Sequence, residues 1–249
     1  MAKVKTLKLL FPDTPLRSGE IRFFRSLINN ALDWQEPLFH YHKQQGGEVY
    51  EYPLVHFRSN KGKAMLFGIN EGCEAISSFI MKHLDELPPE MQTIEIDSQM
   101  TTITMCPEPV LYYVRYFLPL NSANFSNWIQ IRGLKNKITE LERIIAGNIL
   151  DFCSAVGFQV LNKSLTVEIE TLGEVGLVPF PTHTGEIKMM AFNLAYWANI
   201  ILPDNIAIGK GKSKGYGVQT TTDIGLQSKT YKSIRNTETY LKKHRKTTN

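Results

Sequence analysis

The feature that most limits how this chain can fold is the order in which its hydrophobic period switches between two residues and 3.6. The order runs extended, helical, extended, extended, helical, extended, and then starts again. Val4 to Phe11 (VKTLKLLF) is extended. Leu16 to Leu32 sets Ile21, Phe24, Ile28 and Ala31 on one helical stripe. Tyr50 to Arg58 and Lys63 to Ile69 form a hairpin around Ser59-Asn60-Lys61-Gly62. Gly72 to Leu87 carries a second stripe of Ala75, Ile76, Phe79, Ile80 and Leu84. Met91 to Met105 alternates Thr93, Glu95 and Asp97 against Ile94 and Ile96, the pattern of a half-buried strand.

Cys106-Pro107-Glu108-Pro109 then reads as a break and marks the expected domain junction. After it the order recurs. Val110 to Leu120 is a strand, and Lys137 to Val156 is a long helix with Ile138, Leu141, Ile145, Ile149, Phe152 and Val156 in period. Leu165 to Glu170 alternates as a strand, and Ile187 to Leu202 is a strand long enough to bend. Pro203 to Ile208 reads as one helical turn, followed by a glycine-lysine loop and a last strand through Val218. Two consecutive βαββαβ units account for this order, an α+β architecture of tandem ferredoxin-like domains. The predicted division is 1–107, 108–225 and a basic tail over 226–249, where seven Lys/Arg face one glutamate, Glu238.

Composition sets the class more than the function. A net charge of +4 does not by itself announce a nucleic-acid binder, so the placement of the basic residues matters more. Cys73, Cys106 and Cys153 are odd in number and far apart, with no CxxC pair and no zinc spacing; Cys73 and Cys153 fall on apolar helical stripes. MAKVKTLKLLF lacks the apolar core of a signal peptide, and no stretch approaches the roughly 18 apolar residues of a spanning helix. A reducing, cytoplasmic, non-membrane setting is the expectation.

Two segments carry chemistry. Ile208 to Gln219 (IGKGKSKGYGVQ) holds Gly209, Lys210, Gly211, Lys212, Ser213, Lys214, Gly215, Tyr216 and Gly217. Glycines let backbone N–H groups approach an anion, lysines neutralise phosphates without reading sequence, and Tyr216 offers a face to a base. A Walker A loop would need glycine where Ile206 stands, and a dinucleotide fingerprint would need glycine or alanine at Lys214; both motifs fail. A phosphate clamp and a flexible basic hairpin remain the two readings.

The second segment is Phe39-His40-Tyr41-His42-Lys43. In an extended segment His40 and His42 point to one side. Imidazoles titrate near neutrality, so one can take a proton and the other return it, with Lys43 or another lysine stabilising charge on a phosphate. That chemistry suits attack of an RNA 2′-hydroxyl on the adjacent phosphorus, giving a 2′,3′-cyclic phosphate and a 5′-hydroxyl, with no metal and no cofactor. Paired polar surface residues are the plain alternative. His56, His83 and His183 are isolated, and Glu95 and Asp97 read as solvated. Tyr112, Tyr113, Tyr116, Phe117, Tyr196 and Trp197 read as core before stacking platforms.

Several of these stretches together resemble a known family. Leu38-Phe39-His40-Tyr41-His42, Tyr52-Pro53-Leu54-Val55-His56-Phe57, Gly62-Lys63-Ala64 and Gly68-Ile69-Asn70-Glu71-Gly72 are similar to the N-terminal half of CRISPR repeat-processing endoribonucleases of the RAMP superfamily. Phe192 to Ala195, Asn199 to Asp204, and the glycine-rich run are similar to the C-terminal half. The resemblance spans about residues 4 to 220. His56 and Phe57 stand where this group more often has glutamine and tyrosine, and Tyr41 replaces an asparagine. The resemblance implies tandem ferredoxin-like folds, a histidine-based site in the first domain and RNA contacts from the glycine-rich loop. It implies precursor CRISPR RNA as substrate, cut once per repeat. Repeat RNA is then the expected partner, together with other CRISPR effector subunits, for a chain acting as monomer or homodimer. The alternative is a non-catalytic subunit that binds the repeat; a nucleotide-binding enzyme is a third idea.

Overall fold

The computed structural model describes residues 1–40, 51–161, 164–182 and 185–226. It divides into two units. The first holds residues 1–104 with 151–159 and 211–215, and the second holds 105–150, 160–210 and the residues from 216 on.

The first unit runs β1 (Ala2–Pro15), α1 (Ile21–Ala31), α2 (Pro37–His40), β2 (Val55–Asn60), β3 (Lys63–Ile69), α3 (Glu71–His83) and the first half of β4 (Glu95–Phe117). The sheet order is β2-β3-β1-β4, with every pairing antiparallel. Numbered within the unit this is 4-1-3-2, the order of a ferredoxin-like fold. The core lies between one face of the sheet and α1 and α3. Phe24 and Ile28 of α1, and Ile76 and Phe79 of α3, pack on Leu7, Leu9, Phe11, Val55 and Phe57. Phe24 meets Phe11 and Phe57 edge-on, at 5.8 and 5.7 Å between centroids. The β2–β3 turn is Lys61-Gly62 with φ of +48° and +80°, the primed geometry that a two-residue hairpin prefers.

The junction of β3 and α3 explains Gly68-Ile69-Asn70-Glu71-Gly72. A side chain on Gly72 would lie 2.1 Å from the Leu54 carbonyl oxygen, and one on Gly68 would lie 2.8 Å from the backbone of Gly72 and Cys73. Asn70, at φ +47°, is locked to β1: its N–H donates to the Lys5 carbonyl and its Oδ1 accepts from the Lys5 N–H.

Three expectations for this half are corrected. β2 starts at Val55 and not at Tyr50, because residues 51–54 turn to place the Leu54 carbonyl over Ile69. Glu95 to Met100 is exposed on both faces, with Ile96 at 58%, because this stretch is the edge of its sheet and lies beyond the helices' cover. No break occurs at residues 106–109. β4 runs straight through, since Pro107 and Pro109 fall between the stretch that pairs with β1 (95–103) and the one that pairs with β7 (113–115).

The second unit takes the rest of β4, then α4 (Ser122–Trp128), α5 (Leu134–Ala155), β5 (Val167–Thr182), β6 (Gly185–Ile201) and β7 (Val218–Thr220). Its order is β7-β4-β6-β5, again 4-1-3-2, but among the described residues no second α-helix follows β6. The helical turn expected over Pro203 to Ile208 is a bridge instead. Ile206, Ala207 and Ile208 are all buried, Ala207 pairs with Val218, and Asn205 donates to Gln219. α4 was not foreseen; Asn121 caps it by accepting from the Asn124 N–H. β5 extends twelve residues past Glu170 despite Gly173, Gly176, Pro179 and Pro181, which an edge strand accommodates. Lys137 is 1% exposed on α5, where its ammonium donates to the Trp128 carbonyl at 3.1 Å. Among the described residues no helix is long and apolar enough to cross a membrane. The basic tail from 227 on and His183 lie outside the described residues.

Two glycines separate close approach from helix propensity. Gly72→Ala is expected to lower stability by about 3 kcal/mol, since backbone must move to admit one methyl. Gly147→Ala, in open space on α5, is expected to raise it by about 1 kcal/mol. Denaturant unfolding of both variants checks the opposite signs.

Candidate functional site

Strand β2 assembles the functional side chains of the first unit. One face carries Val55 and Phe57 into the core, and α2 packs on the strand. Within Leu38-Phe39-His40, Phe39 is the anchor: it is 1% exposed and meets Phe57 edge-on at 6.1 Å and Phe79 at a tilt at 5.8 Å. That burial fixes the next residue. His40 is 9% exposed, its carbonyl accepts from Arg25 Nη2 at 2.7 Å, and its ring lies 6.1 Å from Trp34. Arg25 itself lies over Phe57.

The other face of β2 carries His56 and Arg58, both buried. Arg58 Nη2 donates to His56 Nδ1, and His56 Nε2 donates to the Pro53 carbonyl at 2.8 Å. These partners fix a neutral ring with its proton on Nε2. Burial, and then the charge of Arg58 and of Lys212, hold the His56 pKa well below its ordinary value, with the Pro53 bond opposing. Burial also pulls the Arg58 guanidinium down to about 9, with Tyr52 opposing, so it stays charged at neutral pH. Its plane covers Phe67 at 4.5 Å, while Nε and Nη1 find no hydrogen-bond partner among the described residues. Tyr52 lies 5.9 Å from the His56 ring and 5.1 Å from Phe152.

The conformation of the glycine-lysine run is set by its glycines. A side chain at Gly209 (φ +85°) would strike the Phe117 ring and Leu118 oxygen at 2.9 Å, and one at Gly217 (φ +65°) would lie 1.8 Å from the Ile208 oxygen. Between them Gly211 and Gly215, both left-handed, bracket one 3-10 turn of Lys212-Ser213-Lys214. That turn packs on β2, with Gly215 against Ile21 and Phe57 and the Lys212 ammonium over the Tyr52 ring at 5.1 Å. Lys210 is exposed, and its N–H donates to the Leu118 carbonyl. Tyr216 belongs to the second unit, where its hydroxyl donates to the Pro179 carbonyl and its ring lies 5.7 Å from Phe180.

Strand β2 thus receives both α2, which ends at His40, and the turn that carries Lys212, Ser213 and Lys214. His42 and Lys43 lie outside the described residues. Tyr112, Phe117 and Tyr196 are core, as expected, but Tyr116 is half exposed. His83 stacks on Phe79 and bonds Glu86, and Asp97 pairs with Lys8. Among the described residues no cluster of three His, Cys, Asp or Glu can hold a metal ion. Arg58, Tyr52 and Trp34 were not foreseen as parts of the site. The alternation of β2 put His56 and Arg58 on one face, but nothing in the sequence showed that this face is buried.

The Cas6b N-terminal domain model matches residues 2–105, and the Cas6b C-terminal domain model matches residues 105–222. The fold is similar to a crystal structure of Cas6b at 18% identity, with 88% of this chain and 100% of that one covered and a TM-score of 0.74. A CRISPR RNA processing endoribonuclease Cas6b is also similar, at 18% identity, 88% and 98% coverage and a TM-score of 0.65. So is Csf5, a type IV Cas6 crRNA endonuclease, at 13% identity, 89% and 100% coverage and a TM-score of 0.61. No curated protein sequence matches.

His56 gives the site a pH signature. Its folded pKa is depressed, so below about pH 6.5 the unfolded chain takes up a proton that the fold refuses. Stability is therefore complete above that pH and falls below it, by up to about 1.4 kcal/mol per pH unit. Glutamine, the residue more often found here in the resembling group, offers the same donor to Pro53 and acceptor to Arg58. His56→Gln is expected to fold and to lose less thermal stability than the wild type between pH 7 and pH 5. Parallel melting curves would contradict the assignment.

Proposed function

We propose a function that starts from the family: this chain belongs to the Cas6b family, whose two domain models together span residues 2–222, and it acts as an endoribonuclease that processes CRISPR RNA. The substrate is the repeat of a precursor transcript, and cleavage releases guide RNAs. The observation that carries this reading beyond the family is the convergence on β2. A helix ending in a core-anchored histidine and a glycine-bracketed lysine turn pack on the same strand.

In this reading His40 and His42 move the protons. One takes the proton from the 2′-hydroxyl and the other delivers one to the leaving 5′-oxygen. The new O–P bond closes the 2′,3′-cyclic phosphate as the P–O5′ bond breaks, and the chemistry calls for no metal. Lys43 or a lysine of the 212–214 turn meets the charge that builds on the phosphate oxygens. His56 takes no part in proton transfer. Both its ring nitrogens are engaged and its ring stays neutral. Its work is to hold Arg58. The glycine-bracketed turn serves RNA by carrying Lys212 and Lys214 toward phosphates, and Lys210 adds a further cation.

A second reading, a repeat-binding subunit without catalysis, is favoured by one observation: the His40 side chain is 9% exposed. Incubation of the protein with its own repeat RNA in EDTA distinguishes the two. Cleavage to a cyclic phosphate end is expected, slowed by about 10²–10⁴ in the His40→Ala/His42→Ala double variant. Tight binding with intact RNA would instead select the second reading. In either case affinity should fall steeply between 50 and 200 mM salt, as lysine–phosphate contacts release counterions.

A further inference from the structure

We propose that Trp34 is a stacking platform for an unpaired nucleobase of the bound RNA, beside the phosphate that His40 addresses; this rests on the RNA reading above. The starting point is how α1 ends. The Trp34 N–H donates to the Asn29 carbonyl at 2.9 Å and the Asp33 N–H to the Asn30 carbonyl at 3.1 Å. This pair of bonds is a Schellman motif, which requires one left-handed residue, at Asp33 (φ +48°). Trp34 is left-handed as well, at φ +57°, where the motif does not ask for it. Asparagine or glycine adopts that backbone with little strain, and tryptophan does not.

Core packing does not account for the choice. Trp34 is 48% exposed, so one face of a large apolar ring stands open. Yet the ring is aimed. Its Nε1–H donates to Asn30 Oδ1 at 2.8 Å, one helical turn back, and its centroid lies 6.1 Å from the His40 ring at 47°. A strained backbone, an oriented indole and an open face beside His40 coincide. The ligand that fits an open indole face is another flat π system, and a single-stranded nucleobase is the one that reaches a histidine acting on the adjoining phosphate. Stacking tolerates any base, so the residue would position the strand without reading its sequence.

Tryptophan fluorescence tests this directly. Of the three tryptophans, Trp128 is buried and Trp197 is held by Glu170, so Trp34 is the most open to quenching. Titration with the repeat RNA should quench wild-type emission, and Trp34→Phe should remove that quenching. Trp34→Asn keeps a left-handed-tolerant residue and should melt at or above the wild-type temperature. It should bind fluorescein-labelled repeat RNA about tenfold more weakly. RNA that binds by anisotropy without quenching, or that binds wild type and Trp34→Asn equally, would overturn the proposal while leaving RNA binding intact. Absence of any binding to wild type would overturn both this assignment and the functional reading beneath it.

Discussion

Arg58 carries its charge on the buried face of an edge strand, where one nitrogen meets His56 and two meet no acceptor among the described residues. A guanidinium in that position is costly unless its surroundings answer it. The answer is assembled from several parts of the sequence: a neutral histidine two residues back, the Phe67 ring beneath, and the Tyr52 ring whose face also receives Lys212. Were His56 protonated, its Nδ1 would no longer accept, and two cations would share one dry face. The neutrality of His56 is therefore a condition for the face to close. Losing the ring would leave both Arg58 Nη2 and the Pro53 carbonyl unpaired, at about 1–3 kcal/mol each.

Closing that face matters because β2 is an edge. Unpaired edges invite association, and proteins cover them or shorten them. Here α2 and the 212–214 turn pack on β2, and the turn can do so because Gly215 brings its backbone against Ile21 and Phe57. The glycines at 209 and 217 serve closeness at the base of the same loop, where any side chain would collide with backbone. Glycines placed for packing leave the lysines between them on a fixed turn. A fixed turn presents charge to a phosphate at less entropic cost than a mobile one. Phosphate contact and a structural role are compatible in this loop, because glycines that allow close packing also set where the lysines between them stand.

How far the sequence reached follows the same logic. Periodicity located the βαββαβ frame of the first unit and the strands and long helix of the second, because alternation and helical stripes are local consequences of burying one face. It failed where burial is set from a distance. Ile96 alternates like a half-buried residue but lies at an edge, and Ile206, Ala207 and Ile208 are buried in succession because a bridge to Val218 covers them. Proline and glycine misled as breakers, at 106–109 and along β5, since their effect depends on whether a ladder bond is required at that position. In the site, the loop and His40 were visible as residue types in a pattern. The Arg58–His56 pair was not, because only the fold reveals that an alternating polar face has been closed off.

Backbone strain shows what periodicity cannot. Among the described residues six that are not glycine have positive φ: Asp33, Trp34, Lys61, Asn70, Tyr116 and Asn205. Four have local reasons. Asp33 closes a Schellman motif, Lys61 belongs to the hairpin turn, Asn70 bonds Lys5 twice, and Asn205 donates to Gln219. Trp34 and Tyr116 remain, one in each unit, and both are aromatic and about half exposed. At Tyr116 the strain reverses the strand's alternation. Tyr112 and Val114 face inward, so Tyr116 should as well, yet Phe117 takes the inward place under Gly209 and Tyr116 turns out to solvent. The reversal needs a left-handed residue there but gives no reason for that residue to be a tyrosine. Packing under Gly209 accounts for the backbone at Tyr116, whereas neither the Schellman motif nor core packing accounts for the one at Trp34.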